Sequence, residues 1–377
     1  MKSEVVIIGG GGSGLAIAYC LANMGIKDIT LVEKHYLGSG STFRCATGIR
    51  ASFTTEEHIV LQKHSVELWR EWSEKLGFFY ERGGYVWLFR TEEQLKAFKE
   101  FSKLHNSYGV PTRIISPEEV KELVPTIDVS DVVGALLDPI AGKADPFGVV
   151  HSLARACRDM GVKILTLTSA EKIVVEESKV KGVETNRGFI ESKIVVLAAG
   201  YGSRELAKTA GIDLPLENIP HHSIITEKFK PLFKPLVIDW TTGAYIVQTC
   251  EGNFLMGVDI EEKPNTPLTP RIDFIPTVVK IWYRYFKWLP EVYILRSWSG
   301  YYVMSPDRHP ILGPVDEVEN MYLAVGYSGH GFMMAPIVGK LIAEWIVDGK
   351  PSIPQANRLT LRRIKEGKLI YEKAVVG

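Results

Sequence analysis

At 377 residues, 46% hydrophobic and 23% charged, the chain is long enough for about two domains of ordinary globular composition. Its 44 basic residues balance 44 acidic ones, so nothing in the overall charge suggests nucleic acid or an anionic membrane as a partner. No stretch approaches the ~20 apolar residues of a membrane span, and the N-terminal apolar run is too short and glycine-broken for a signal peptide, so a cytoplasmic protein is expected. Cys20, Cys45, Cys157 and Cys250 lie far apart with no C-x-x-C pair. That spacing fits a reducing compartment, and no metal centre is expected from it.

The first element is a strand, Val5-Val6-Ile7-Ile8, running into Gly9. Gly9, Gly11 and Gly14 stand in G-x-G-x-x-G spacing, and a helix is predicted from Ser13 to Met24. A second strand, Ile29 to Val32, ends on Glu33, 19 residues past Gly14. Gly9 permits the tight turn, Gly11 the close approach of a pyrophosphate, and Gly14 the packing of helix on sheet. The helix N-terminus offers free N–H groups to phosphates. Glu33, flanked by Lys34, can accept hydrogen bonds from both ribose hydroxyls and would repel a 2′-phosphate, so FAD or NAD fits better than NADP.

Further on, Gly38 to Thr42 is a loop of small donors, and residues 54–77 are predicted helical with Thr54 or Thr55 as cap. Tyr85 to Phe89 reads as a strand, followed by helices at 92–107 and 117–123, the latter opened by Ser116 and Pro117. Asp145-Pro146 opens a helix at 147–160. Residues 163–198 are predicted as a four-strand meander whose last strand, apolar throughout, ends in Ala198-Ala199-Gly200. Residues 215–300 alternate turns with strands, and the aromatic run 282–298 is assigned mainly to core packing. Strand Met321 to Val325, the loop Gly326 to Gly331 and helix 332–348 complete the chain.

Five separated segments together resemble the D-amino-acid oxidase / sarcosine oxidase family of FAD enzymes over nearly the whole length. They are the N-terminal unit, Gly40 to Arg50, Val195 to Gly200, Ser305 to Gly313 and Gly326 to Met333. Within the family, the chain looks most like the β subunits of heterotetrameric sarcosine oxidase and of archaeal dye-linked L-proline dehydrogenases. The resemblance implies an α/β fold: a Rossmann-like FAD-binding domain of glutathione-reductase type, interleaved with an α+β substrate domain on an antiparallel sheet. Residues 1–80, 139–215 and 300–377 would form the first domain, and 81–138 and 216–299 the second.

The resemblance also assigns roles. Gly9, Gly11, Ser13, Gly14, Glu33, Lys34, Ser41, Thr42, Arg44, Thr47, Gly48, Val174, Ala199 and Gly200 would hold FAD. Gly329, His330, Gly331, Phe332 and Met333 would face the flavin ring from a helix N-terminus. Arg50 aligns with a carboxylate-binding arginine, and a guanidinium can grip a carboxylate through two parallel bonds. Tyr245, Gln248 and His222 are the other candidate substrate contacts.

Departures from the family pattern carry expectations of their own. Gly300 stands where monomeric sarcosine oxidases carry the flavin-linked cysteine, and Arg44 where dimethylglycine dehydrogenases carry the linking histidine. FAD should therefore be non-covalent. Asp145 stands near the histidine that holds FMN in heterotetrameric sarcosine oxidases, so any FMN at a subunit interface should also be unlinked. Met333 replaces an oxygen-activating lysine, which favours a dehydrogenase over an oxidase. Tyr302 replaces the substrate arginine of D-amino-acid oxidase.

The expected activity is oxidation of a secondary amino acid, best matched by L-proline, to the imine by hydride transfer to flavin N5. Electrons would then pass to a partner subunit with further redox centres, or to a dye- or quinone-type acceptor. The alternatives are a free-standing sarcosine- or glycine-type oxidase using O2, and a non-catalytic redox-relay subunit.

Overall fold

The Val5 to Ile8 run is the centre of a longer strand, Lys2–Ile8, in the computed structural model, which describes residues 1–375. That strand lies between Gly188–Leu197 and Ile29–Val32, parallel to both. Val5, Val6 and Ile7 are fully buried, as a strand covered on both faces requires. The sheet continues through Lys163–Leu165 on one side and through Lys179–Thr185 and Ala170–Glu176 on the other. Met321–Val325 pairs parallel with the end of Gly188–Leu197, and Ile311–Pro314 adds an antiparallel neighbour.

The meander is therefore three strands, not four. Lys163–Leu165 follows helix Pro146–Asp159 and pairs parallel with Ile29–Val32, the geometry of a β-α-β crossover. Helix Gly12–Asn23 packs against Gly331–Val347 and Pro146–Asp159. The approach to the first of these is close: a side chain on Gly339 would come within 2.6 Å of the Ala16 carbonyl.

The second sheet has eight strands. Their order is Ile294–Met304, Glu217–Lys228, Asn253–Val258, Ala244–Gln248, Leu236–Asp239, Tyr85–Phe89, Gly134–Asp138 and Arg113–Ile115. It is antiparallel except where Leu236–Asp239 meets Tyr85–Phe89, two strands from distant passages of the chain. Helix Phe274–Tyr283 covers one face; Trp282, Tyr285 and Phe286 are fully buried there with Phe254 and Met256. A short sheet of Gly48–Ile49, Gly142–Ala144 and Tyr80–Glu81 completes the β structure among the described residues. The fold is mixed α/β, and among the described residues no helix is long and apolar enough to cross a membrane.

One cap differs from expectation. Thr55 is the N-cap of helix Glu56–Leu76, yet its hydroxyl makes no bond to the helix. It donates to Glu372 Oε2 at 2.8 Å and lies 3.1 Å from His309 Nε2. Ser116, by contrast, forms the expected capping box with Glu119.

Candidate active site

The carboxyl ends of Lys2–Ile8, Ile29–Val32, Gly188–Leu197 and Met321–Val325 share one edge of the first sheet, and a crevice beyond that edge is where such sheets bind ligands. A cavity of about 350 Å³ opens there and runs to the second sheet. Gly9, with φ +115°, turns the chain so tightly that any Cβ would overlap the Ala198 carbonyl. A Cβ on Gly14 would overlap the carbonyl of Gly9, so Gly14 sets the helix against the strand without reaching the cavity itself.

Glu33 is held in place by two backbone donors. Gly10 N–H donates to Oε2 and His35 N–H to Oε1, both at 2.8 Å. Each oxygen keeps a lone pair for a further donor. Thr42 accepts from Gly12 N–H at 3.0 Å and ties the following loop to the helix N-terminus. Ser41 donates its only hydroxyl proton to Tyr301 O at 2.8 Å, so toward the cavity it can only accept. Arg44 folds back on its own loop, donating to the carbonyls of Ser39 and Gly40. Ser41, Thr42 and Arg44 thus line the cavity but shape its loop as much as they offer donors. Lys34 lies 4.9 Å from the Tyr201 ring centre. Ser13, Thr47, Gly48, Ala199 and Gly200 also line the cavity.

Gly329 to Met333 also line the cavity. Helix Gly331–Val347 starts at His330 with no side-chain cap, so its first N–H groups are not closed off by one. Met333 O accepts from Ser65 Oγ at 2.6 Å and Trp69 Nε1 at 2.9 Å, which pins this helix start to Glu56–Leu76. His330 is buried and held far below its ordinary pKa by desolvation, then by His58 and Arg50 nearby. It is neutral at pH 7. Cys45 lines the same cavity, and burial pushes its thiol up to about 12, so it is no thiolate.

Arg50 is 1% exposed yet lines the cavity. Its guanidinium lies 3.7 Å from the Phe53 ring centre and 4.8 Å from that of Trp87. Two donors go to the carbonyls of Ser52 (2.6 Å) and Ala374. Burial pulls its pKa down to about 10, so it stays charged at neutral pH. The nearby carboxylates are occupied elsewhere: Asp138 accepts from Ala51 and Ser52 N–H, and Glu372 from Thr54 and Thr55.

Tyr85, Tyr245, Tyr302, His221, Leu236 and Ile238 line the same cavity as Arg50. Tyr245 OH shares a 2.8 Å hydrogen bond with Ser223 Oγ. Tyr302 stacks on His221 with centroids 3.6 Å apart, and His221 Nε2 lies 2.8 Å from Asp259. Neither a Cβ on Gly329 nor one on Gly48 would fit, because the rings of Tyr302 and Tyr85 occupy those spaces.

Three expected contacts fall elsewhere. Gln248 lies three positions after Tyr245 on one strand, so it points to the opposite face. There it accepts from Leu232 N–H at 2.7 Å and donates to Lys230 O and Gly252 O, bracing a turn. His222 likewise alternates with His221: it bonds Glu262 at 2.9 Å on the outer face, while His221 and Ser223 face inward. Val174 pairs with Gly182 in mid-strand; the cavity is reached by Ala170 at that strand's start and by Thr168 just before it.

His58, His309 and Glu372 form a fully buried cluster whose ligand atoms lie within 4.8 Å of one another. The two rings stack at 4.1 Å. Ligands of one tetrahedral ion sit about 3.4 Å apart with ring edges converging, so stacking disfavours a shared metal. His309 is held far below its ordinary pKa by burial and by His58. Unfolded, a histidine takes a proton below about pH 6.5, whereas folded His309 does not. Stability should therefore fall as pH drops below 6.5. The slope for this one group is about 1.4 kcal/mol per unit. Urea midpoints between pH 7 and 5 check this, and His309→Gln should flatten the slope by that amount.

The chain matches the family model "FAD dependent oxidoreductase" over residues 4–345. It is 31% identical to the sarcosine oxidase subunit beta of Rhodobacter capsulatus, covering 100% of this chain and 92% of that protein. Similarity to the Arthrobacter sp sarcosine oxidase subunit beta is 30%, over 98% and 93% of the two chains. Among solved structures, L-proline dehydrogenase from P. horikoshii superposes with a TM-score of 0.95 at 40% identity, covering 98% of this chain and 99% of that one. The chain belongs to the DAO family of FAD-dependent oxidoreductases. Within that family it is an amino-acid or amine oxidoreductase of the sarcosine oxidase beta and proline dehydrogenase type. The glycine-lined turn, the two helix N-termini and the braced Glu33 fit FAD along the full cavity.

Proposed function

We propose that this chain is the catalytic FAD subunit of a hetero-oligomeric dehydrogenase that oxidises a secondary amino acid, L-proline best of all, to its imine. The observation that carries the reading is Arg50, a buried cation in a cavity that apolar and aromatic side chains also line. The likeness to a protein described as an L-proline dehydrogenase supports the substrate, and the likeness to beta subunits supports partner chains.

FAD, when bound, supplies the hydride acceptor. Gly9, Gly11, Ser13, Glu33, Thr42 and Gly200 would hold its adenine and phosphate end, and Thr47, Gly48 and Gly329 to Met333 its ring. Attachment would be non-covalent, since Gly300 carries no side chain to link the flavin at the position expected for it. Arg50 grips the substrate carboxylate and thereby aims the carbon next to nitrogen. Tyr85, Tyr245, Tyr302 and Ile238 exclude water and favour the neutral amine by desolvation.

The acceptor would be a partner subunit or a dye- or quinone-type compound. An FMN at a subunit interface belongs to this proposal only as an unlinked group. Asp145 stands at the expected attachment point, and its carboxylate caps the N–H groups of Phe147 and Gly148.

Met333 lines the cavity where a cation would speed reaction with O2. Met333→Lys should raise peroxide formation by the reduced protein about tenfold or more, since a nearby positive charge stabilises the developing superoxide. The test of the proposal is L-proline-dependent dye reduction alongside peroxide assay. Dye reduction with little peroxide is expected; stoichiometric peroxide from the pure chain would establish a free-standing oxidase instead.

A further inference from the structure

The segment after helix Arg362–Lys365 lies along the surface, with Tyr371 and Lys373 exposed, but sends alternate side chains inward. Glu372 and Ala374 are only 1% and 2% exposed. The backbone is held at several points. Ile370 N–H donates to Asp307 Oδ2 at 3.1 Å, Glu372 N–H to Asp307 O at 3.2 Å, and Lys373 N–H to Thr54 Oγ1 at 3.0 Å. Asp307 is itself fixed by two bonds from Arg363, at 2.8 and 2.9 Å.

Glu372 is the anchor. Its Oε1 accepts from Thr54 Oγ1 at 2.5 Å, Thr54 N–H at 3.0 Å and Ala374 N–H at 2.8 Å. Its Oε2 accepts from Thr55 Oγ1 at 2.8 Å and lies 3.5 Å from His58 Nδ1. A buried carboxylate is unfavourable unless it is bonded this completely. Two residues on, the Ala374 carbonyl accepts from Arg50 Nη2.

We propose that Ile370 to Ala374 is a positioning strap for the substrate site: Glu372 fixes the Ala374 carbonyl, and that carbonyl, with Ser52 O, sets the plane of the Arg50 guanidinium. The proposal rests on Arg50 as the carboxylate ligand. Phe53 and Trp87 hold the faces of the guanidinium, and the two carbonyls hold one edge. The remaining donors are thereby aimed before any substrate arrives, which lowers the ordering cost of binding. The strap also accounts for Thr54 and Thr55, whose hydroxyls serve Glu372 and not the helix they precede.

The test measures anaerobic reduction of the FAD-loaded full chain by L-proline and by pyrrolidine, which has no carboxylate. Glu372→Ala should raise the apparent Kd for L-proline about tenfold, leave its limiting rate within about threefold, and leave pyrrolidine unaffected. Glu372→Gln should recover part of the loss. In an Arg50→Ala background, Glu372→Ala should add nothing, since both changes act through one group. Equal effects on L-proline and pyrrolidine, or additivity with Arg50→Ala, would overturn the strap. An effective Arg50→Ala with a silent Glu372→Ala would overturn it alone. If Arg50→Ala leaves L-proline binding unchanged, the carboxylate reading falls first and the strap with it. Should Glu372→Ala lose FAD, the isosteric Thr55→Val, which removes one donor, must shift the L-proline Kd in the same direction, and no shift counts against the strap.

Discussion

Arg50→Ala is expected to lower kcat/KM for L-proline roughly 100- to 1,000-fold while changing pyrrolidine turnover little. Removing one partner of a desolvated, hydrogen-bonded charge pair costs about 3–4 kcal/mol, and about 1.4 kcal/mol is a factor of ten. Most of the loss should appear in KM, because the carboxylate is gripped before and during reaction alike. The change also leaves the carbonyls of Ser52 and Ala374 without their donor in a buried setting. Arg50→Lys therefore serves as a companion: it retains charge but not the planar fork, and should recover only part of the affinity. Steady-state kinetics on both amines, with flavin content as the check on folding, decides the matter.

Gly14→Val should yield protein without flavin. Any Cβ at position 14 overlaps the Gly9 carbonyl, so helix Gly12–Asn23 must shift off the strand. Forcing volume into such a contact costs about 2–3 kcal/mol or more, roughly a hundredfold in FAD affinity. The shift would carry the helix N-terminus away from the cavity that Thr42 and Gly11 line. Glu33→Ala should weaken FAD retention less, because the backbone cradle survives it. Flavin-to-protein absorbance ratios after gel filtration check both variants.

The part of the cavity around the first strand was legible because its geometry is local. Gly9, Gly11, Gly14 and Glu33 act through turns and spacings that lie within one β-α-β unit. The C-terminal loop was legible for the same reason: Gly329 to Met333 is one helix start. The substrate face was legible only in outline. His221 and His222 are adjacent, and a strand sends them to opposite faces, so choosing between them needs the register of Glu217–Lys228. Tyr245 and Gln248 differ in the same way, and simple alternation along the strand would have separated them. Ala170, four residues before Val174, was missed because nothing local marks which end of a strand faces a ligand. Glu372 carried no signal at all: its bond to Thr54 spans 318 positions of sequence. Tyr85 and Tyr302 reach the cavity only because glycines at 48 and 329 leave room for their rings, a coupling visible only in three dimensions.

The central claim is that this cavity oxidises a small secondary amino acid held by Arg50. Anaerobic mixing of the FAD-loaded protein with L-proline tests it most directly. The account predicts that the oxidised-flavin absorbance bleaches in a saturable, single-turnover phase, and that Arg50→Ala shifts this phase to much higher L-proline. A flavin that stays oxidised with L-proline, sarcosine and other small secondary amino acids would contradict it.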